Sequence, residues 1–389
     1  MTHTASAIAD IIPEVTAWRR DFHAHPELGF EETRTAALVA ERLRVFGFDE
    51  VATGIGKTGV VGVLKGKRPG NRAIAIRADM DALPIEEATD LPYTSLTPGV
   101  MHACGHDGHT AILLGAAKIL AATRDFAGTA VLVFQPAEEL GSGAGAMLRD
   151  GLFERFPVEE IYGLHNQPGL ARGRFAIRPG AMMASADPFI ITVRGKSGHA
   201  ASPQETIDPI VTAAAIITGL QTVVSRTVNP RDAVVLTVGS IKAGEAGNVI
   251  PDTAVLLGTL RTLNNEARVN AQARAAELVR HIAAGFGAEA DYKPRSGGCP
   301  VTFNDPEKTA VLAGIAEAVA GKKAVERDYR PSMGSEDFSF LLERKPGAFI
   351  YIGSGDIPTL HNAGFNFPDD ILPHGIALWV KTVETVLKG

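Results

Sequence analysis

Apolar residues recur at two different spacings along the chain, and the alternation of these spacings predicts an α/β fold. Apolar positions three and four apart predict a first helix over residues 7–25, before Pro26, and a second over 31–46, before Gly47. Further helical patterns occupy residues 111–120, 307–320 and 374–387. Short apolar runs predict strands at residues 59–64, 73–76, 130–134, 160–164 and 348–352. Strands separated by helices indicate a mostly parallel sheet with helices on both faces.

The pattern changes between residues 185 and 298. Here the predicted order is strand, helix, strand, strand, helix, strand, which is typical of a ferredoxin-like α+β domain. Because 389 residues exceed the length of one ordinary core, we interpret this segment as a domain inserted into the first one. The predicted organisation is residues 1–184 for the first part of the α/β domain, 185–298 for the inserted domain and 299–389 for the second part.

The charge, hydropathy and cysteine content of the chain argue against several classes of protein. With 38 basic and 44 acidic residues the net charge is −6, which argues against binding to nucleic acid or to an anionic membrane. The sequence shows no signal-peptide pattern, and no apolar stretch reaches the roughly 20 residues of a membrane span. The two cysteines, Cys104 and Cys299, are too few for a disulfide framework, so a reducing, cytoplasmic location is expected.

Side chains that can bind metal cluster directly after the predicted strands. The carboxyl ends of parallel strands form the edge at which α/β sheets bind ligands, so these side chains are expected to converge. The candidates are Asp79 and Asp81 after strand 73–76, Glu138 and Glu139 after strand 130–134, His165 after strand 160–164, and His361 after strand 348–352. Cys104 and His106 lie in a further cluster, residues 101–110, just before helix 111–120.

Cys104 and His106 are two positions apart at a predicted helix start, and their side chains suit a transition metal such as Zn²⁺. The alternative is a glycine-rich turn with a capping aspartate and an inert buried thiol. Asp79 and Asp81 have a similar alternative, a solvated loop with capping aspartates. The two histidines His23 and His25 are less suitable as ligands because they precede every predicted strand.

The candidate ligands Cys104, His106, Glu139, His165 and His361 are too many for one tetrahedral ion with an open position. They suit two divalent ions that share a bridging water, with Zn²⁺ or Mn²⁺ expected and Co²⁺ or Ni²⁺ tolerated. A carboxylate beside that water can accept its proton and pass it to a leaving amine. One acid of the pair 138–139 should therefore bind metal and the other act as base, although the pattern does not say which. The implied reaction is hydrolysis of an amide or peptide bond.

Eight motifs follow one another along nearly the whole chain. They are residues 77–84 (RADMDALP), 101–109 (MHACGHDGH), 135–139 (QPAEE), 163–165 (GLH), 195–201 (GKSGHAA), 248–251 (NVIP), 335–338 (SEDF) and 360–362 (LHN). Together they resemble the aminoacylase and carboxypeptidase type of dinuclear metallopeptidase family, in its hippurate hydrolase and indoleacetyl-amino-acid hydrolase branch.

The resemblance implies a role for each candidate residue. It implies that the five candidate ligands bind two metals, that Glu138 is the general base and that Asp81 orients a ligand or the base. Asp79 stands where other branches have a metal-binding histidine. The resemblance also implies that the inserted domain serves as a lid and for homodimerisation. In that domain it implies that His199 polarises the substrate carbonyl and that Asn248 and Arg261 contact the substrate carboxylate.

The expected activity is therefore metal-dependent hydrolysis of N-acyl-L-amino acids, such as hippurate-like, N-acetyl or indoleacetyl conjugates, to a carboxylate and a free amino acid. A dipeptidase or an N-acetyl-diaminopimelate deacetylase would use the same residues with another substrate pocket. A non-catalytic binding protein on this fold would be expected to have lost ligands or Glu138, and a redox protein centred on Cys104 would carry a reactive, metal-free thiol. Cys299 is expected to be structural, because nothing near it in the sequence has ligand spacing.

Overall fold

The computed structural model describes residues 2–389, with side chains from Ala5 onward, and these residues form two compact units. The first unit contains the chain up to Met182 together with Phe303–Arg330 and Asp337–Gly389. The second contains Met183–Thr302 and Pro331–Glu336. The sequence pattern put the inserted segment at residues 185–298 and did not anticipate that a later segment would join it.

The described elements are as follows. The helices are α1 (Thr2–Ala24), α2 (Thr33–Val45), α3 (His106–Thr123), α4 (Gly143–Arg149), α5 (Leu152–Arg155), α6 (Pro209–Thr222), α7 (Asn265–Gly285), α8 (Pro306–Ala320), α9 (Ser339–Leu342) and α10 (Leu372–Val386). The strands are β1 (Glu50–Ile55), β2 (Gly59–Lys65), β3 (Arg68–Asp79), β4 (Ala127–Gln135), β5 (Glu160–Pro168), β6 (Phe175–Ala176), β7 (Gly180–Met183), β8 (Asp187–Arg194), β9 (Gly198–His199), β10 (Val234–Ala243), β11 (Val249–Ile250), β12 (Thr253–Thr262), β13 (Glu289–Pro294), β14 (Thr302–Asn304), β15 (Val325–Glu326) and β16 (Gly347–Gly355).

The sheet of the first unit has eight strands in the order β1-β2-β4-β3-β5-β16-β6-β15. The central strands β4, β3, β5 and β16 are all parallel to their neighbours in this run. The α/β class with a mostly parallel central sheet is thereby confirmed. Strands β1 and β2 extend the sheet on the β4 side by antiparallel pairing, a reversal of direction that apolar runs alone do not reveal.

The central strands of this sheet are buried on both faces. Ile74 and Ile76 of β3 and Leu132 of β4 belong to one apolar cluster with residues of α1, α3 and α10. The intervening residues Ala75 and Val131 are buried as well, and successive strand side chains point to opposite faces. A strand that is buried on both faces reads as a continuous apolar run, which is why the central strands are visible in the sequence.

The second unit contains a four-stranded antiparallel sheet in the order β10-β12-β8-β13. Helices α6 and α7 pack against it, with Phe189, Ile216 and Leu256 in a shared apolar core. Along the chain the elements follow as β8, α6, β10, β12, α7 and β13, the succession of a ferredoxin-like domain. The use of this unit as a lid stays a prediction.

Helix α6 corrects one expectation from the sequence. Together with the π-helical turn that follows it, the segment Pro209–Thr227 is 19 residues long and meets the length and composition of a membrane span. One such helix is weak evidence for a membrane protein, because core helices pass the same test. In this protein 28% of the apolar window is buried, and Ala213, Ile216 and Leu220 belong to the core of the second unit.

Candidate metal centre

The start of α3 presents Cys104 and His106 at the edge of the first unit's sheet. Gly105 between them has a left-handed backbone (φ +99°), and a Cβ at this position would clash with the side-chain amide of Asn166. Glycine is therefore required on both counts, conformation and space. The Cys104 Sγ lies 3.4 Å from His165 Nε2, at the end of β5. Three donor side chains from two elements thus meet inside the protein.

The structure brings all five predicted ligands into two overlapping groups. Cys104, His106 and His165 form one group, and Cys104, Glu139 and His361 form the other; within each, the potential ligand atoms lie within 4.8 Å of one another. His361 Nε2 is 3.4 Å from Glu139 Oε2, and its backbone, also left-handed (φ +63°), donates to Ala103 O. Two overlapping groups of S, N and O donors match two neighbouring divalent ions.

His106 and His165 each use Nδ1 for a hydrogen bond to the protein, which leaves Nε2 facing the other donor side chains. His106 Nδ1 lies 2.9 Å from Asp81 O and 3.2 Å from Asp81 Oδ1, and His165 Nδ1 lies 2.7 Å from Asn166 O. His106 Nε2 and Glu139 Oε1 are buried and have no hydrogen-bond partner among the described residues. Leaving such atoms unpaired is costly, whereas metal coordination satisfies them, so the donor set fits divalent cations.

The charges of the centre also match cation binding. Burial opposes protonation of His106, but Asp79 and Asp81 outweigh it and raise the pKa of that imidazole to about 10. Burial raises the pKa of the Cys104 thiol well above its usual value, and the nearby carboxylates of Glu139 and Glu138 raise it further. This excess of negative charge is what a pair of dications would neutralise, and cations in turn favour thiolate and neutral imidazole.

The two adjacent acids lie on the turn after β4, residues 135–139, which we call the acid turn. Glu139 N–H donates to Asp81 Oδ2 at 3.0 Å, while Glu138 Oε1 accepts a 3.4 Å hydrogen bond from Asp337 N–H. Both acid side chains are about one-tenth exposed (11% and 10%). Glu139 belongs to the group with Cys104, and Glu138, 4.0 Å from His106 Nε2, forms a further group of possible ligands with His106 and Glu139.

Asp79 has protein partners on both carboxylate oxygens, and with His106 and His109 it also forms a group that could hold a metal ion. Its Oδ2 accepts from Arg77 Nη1 at 2.7 Å, and its Oδ1 is 2.6 Å from His109 Nδ1. Burial raises its pKa, but His106, Arg77 and His109 outweigh that and hold the pKa well below the ordinary range. Arg77 also reaches Asp337 Oδ1 at 3.3 Å, so this buried cation joins two carboxylates of the centre.

Sequence reasoning missed several of these supporting residues. Arg77, His109, Asn166 and Asp337 all lie in or beside quoted motifs, but a motif does not reveal which partner a side chain will meet. For Arg77 a signal was available, since a cation within an apolar strand must be paired when buried.

His23, a weak candidate from the sequence, belongs to a separate buried network. Its Nδ1 is 2.9 Å from Asp107 Oδ2 and its Nε2 is 3.2 Å from Glu87 Oε1. Arg19 lies 3.3 Å from the same Asp107 oxygen. Burial lowers the pKa of His23, but the two carboxylates outweigh it and raise that pKa to about 9. This network joins α1 to the first turn of α3.

The other predicted residues lie in the second unit. His199 on β9 pairs with Val249 on β11, and Ala200 N–H donates to Asn248 O, so His199 and Asn248 lie close together on exposed backbone. Arg261 on β12 is elsewhere in the unit. It donates from Nη1 to Met333 O at 3.1 Å and to Ser335 Oγ at 3.4 Å.

Comparison with known proteins agrees with this centre. Residues 75–385 match the model of peptidase family M20/M25/M40. The chain is 42% identical to hippurate hydrolase of Campylobacter jejuni, covering 98% of each chain, and 42% identical to N-acetyl-L-cysteine deacetylase of Bacillus subtilis, covering 90% of this chain and 83% of that one. It is also similar to the crystal structure of the Bacillus subtilis YXEP protein, described as a dinuclear metal binding peptidase of the M20 family. The TM-score is 0.85 and the identity 34%, over 98% of this chain and 99% of that one. The chain therefore belongs to peptidase family M20/M25/M40, in the branch of the hippurate and indoleacetyl-amino-acid hydrolases.

Proposed function

We propose that the protein releases free amino acids from N-acyl-L-amino acids with a pair of divalent metal ions. The protein is a hydrolase that acts on amide bonds. N-acyl-amino-acid hydrolysis agrees with the hippurate hydrolase and N-acetyl-L-cysteine deacetylase relatives. The observation that carries the dinuclear proposal is the convergence of five donor side chains, one of them Glu139, with the adjacent, nearly buried Glu138 beside them.

In this proposal Cys104, His106, Glu139, His165 and His361 hold the two ions. Bound divalent cations, Zn²⁺ or Mn²⁺ with Co²⁺ and Ni²⁺ as substitutes, would acidify the attacking water and offset negative charge on the substrate oxygen. Glu138 accepts the proton of that water and delivers it to the leaving amine nitrogen. Asp81 holds the His106 ring and the Glu139 backbone, and Asp79 supports His109.

Three residues of the second unit complete the proposed machinery. His199 Nδ1 accepts a 3.0 Å hydrogen bond from Ala201 N–H, which places the proton of a neutral ring on Nε2. That Nε2–H can donate to a substrate carbonyl oxygen and polarise it. Asn248, next to His199, and Arg261, whose guanidinium is held by Met333 O, are proposed to bind the substrate carboxylate. The unit acts as a lid over the substrate.

The same unit is proposed to form a homodimer. Strand β10 is at the edge of its sheet and exposes Val235 and Ile241. Helix α6 exposes Ile210 and Val211. An unpaired strand with exposed apolar side chains is a template for pairing with a second copy. Light scattering should give twice the mass of one 41.0 kDa chain, and a monomer at micromolar concentration would contradict the proposal. We place the protein in the cytoplasm, in agreement with its two cysteines, which form no disulfide with each other.

The function is tested by amino-acid release from a panel of benzoyl, acetyl and indoleacetyl amino acids and of dipeptides. The protein is stripped and reloaded separately with Zn²⁺, Mn²⁺, Co²⁺ and Ni²⁺. Release from acyl amino acids supports the proposal, and their ranking identifies the acyl group. Cleavage of dipeptides alone would replace it with a dipeptidase. No release from protein shown to hold two ions would overturn it.

A further inference from the structure

The acid turn has a strained backbone at the residue before its two acids. Ala137 is fully buried and has a left-handed conformation (φ +51°). A residue with a Cβ rarely adopts this conformation, and it persists only where surrounding contacts impose it. The direction of Glu138 and Glu139 depends on this backbone, because they are the next two residues. Some group must therefore hold Ala137 in place.

Besides Gly143, whose N–H donates to Ala137 O at 3.1 Å, Glu32 is such a group. Its Oε1 accepts the Ala137 N–H at 2.8 Å, although the two residues are 105 positions apart. Its Oε2 accepts from Thr58 Oγ1 at 2.5 Å, which fixes the carboxylate from the other side. The residue is completely buried (0% exposed), directly before α2. Burying a carboxyl group costs free energy unless hydrogen bonds compensate for the lost water. We therefore infer that Glu32 has a role beyond filling space.

The segment that carries Glu32 also fits closely against the acid turn. A Cβ at Gly29 would lie 3.1 Å from Ala137 Cα and 2.9 Å from Leu140 Cδ1. Glycine at position 29 therefore lets the backbone of this segment approach the turn. Among the described residues, Glu32 lies outside every group of donors that could hold a metal ion. Its hydrogen bond to the turn is its direct contact with the acids, while burial and the Asp81 charge raise the pKa of its own carboxyl.

We propose that Glu32 is a positioning residue: by binding the Ala137 N–H, it holds the left-handed turn that directs Glu138 and Glu139 to the metal centre. The proposal rests on the proposed function for the roles of these two acids. It extends the active site to a residue that binds neither metal nor substrate. Because Ala137 is strained, replacing it with glycine should compensate for the loss of Glu32. A residue that only fills space would not be compensated in this way.

The test compares Glu32→Met with Glu32→Gln, each alone and combined with Ala137→Gly. Methionine has a similar length but cannot accept the N–H, whereas a glutamine oxygen accepts it more weakly than a carboxylate does. Glycine adopts a left-handed backbone freely, so the turn no longer needs to be held. Glu31→Gln is the matched control, because Glu31 is the exposed neighbour. We measure kcat, KM, thermal unfolding and the affinity for Zn²⁺ by competition with a chromophoric chelator.

Glu32→Met should lower kcat by about tenfold or more with KM changed less than about threefold, since the acids are displaced and substrate contacts are not. Zn²⁺ affinity should fall by about tenfold, as when partners that orient a metal ligand are removed. Glu32→Gln should lose only about threefold in each, and Ala137→Gly should restore both variants to within about twofold of Ala137→Gly alone. Glu31→Gln should equal the wild type.

Wild-type kcat and Zn²⁺ affinity in folded Glu32→Met would overturn the proposal, and so would a loss that Ala137→Gly does not restore. If Glu32→Met does not fold, the comparison between Glu32→Gln and its double variant decides in the same way. The Zn²⁺ affinities separate this proposal from the proposed function. If the wild type cleaves no acyl amino acid, the function fails, and the affinities still decide whether Glu32 holds Glu139 in place.

Discussion

The free energy of unfolding of the wild type should fall as the pH rises into the alkaline range, and His23→Gln should remove much of this fall. Burial disfavours the charged imidazole, but Asp107 and Glu87 outweigh it and raise the pKa from the ordinary 6.5 to about 9. A group whose pKa is raised by folding contributes stability fully below its unfolded pKa, and this contribution is lost as the pH rises through the folded value. The shift of about 2.5 pKa units corresponds to about 3 kcal/mol at roughly 1.4 kcal/mol per unit.

The assay is urea unfolding of the wild type and His23→Gln at pH 6.5, 8 and 10, with a fixed excess of metal ion. At pH 6.5 the wild type should be more stable than the variant by about 3 kcal/mol, and at pH 10 the difference should be close to zero. Glutamine can still donate to one carboxylate, which keeps the variant folded for the comparison. His25→Gln is a matched control, because His25 is part-exposed and two positions away. A difference in unfolding free energy that is constant from pH 6.5 to pH 10 would refute the ion-pair account of this network.

Three further predictions concern the metal centre. Glu138→Gln should keep its metal content but lose about 10²- to 10⁴-fold in kcat, as for a lost general base; retained turnover in the release assay would exclude that role. Cys104→Ala should hold less metal after gel filtration, because both donor groups include this thiol, and elemental analysis that finds two ions per chain would count against it. Arg77→Met should destabilise the protein by about 3–5 kcal/mol at pH 7, because Asp79 and Asp337 lose their buried cation. Urea midpoints of the wild type and the variant at pH 7 check it, and equal midpoints would count against the role of the buried cation.

The parts of the fold that could be predicted from the sequence are those with a strong local pattern. The strands over 73–76 and 130–134 are buried on both faces, so they form continuous apolar runs, and they are the cores of β3 and β4. Strand β1, Glu50–Ile55, was missed because it is partly exposed and has few apolar residues. The direction of β2 and the joining of residues 331–336 to the second unit depend on distant contacts that no local pattern records.

In the candidate site, too, some residues could be predicted from local patterns and others depend on distant contacts. The convergence of its candidate ligands could be predicted because their chemistry is unusual and their places at strand ends are regular. The residues that orient them could not, since Glu32 meets Ala137 across 105 positions and Arg77 meets Asp337 across 260. Both are ordinary charged residues in the sequence, and only the fold shows what they hold. The pairing of Asp79 with Arg77 and His109 is likewise not visible in its motif.

The central claim is that one dinuclear centre, with Glu138 as its base, hydrolyses N-acyl amino acids. The most direct measurement is amino-acid release by metal-reloaded wild type and Glu138→Gln side by side, with metal content determined on the same samples. We expect two ions per chain in both proteins and release from benzoyl, acetyl or indoleacetyl amino acids by the wild type alone. Equal release by both proteins, or none by wild type that holds two ions, would contradict the account.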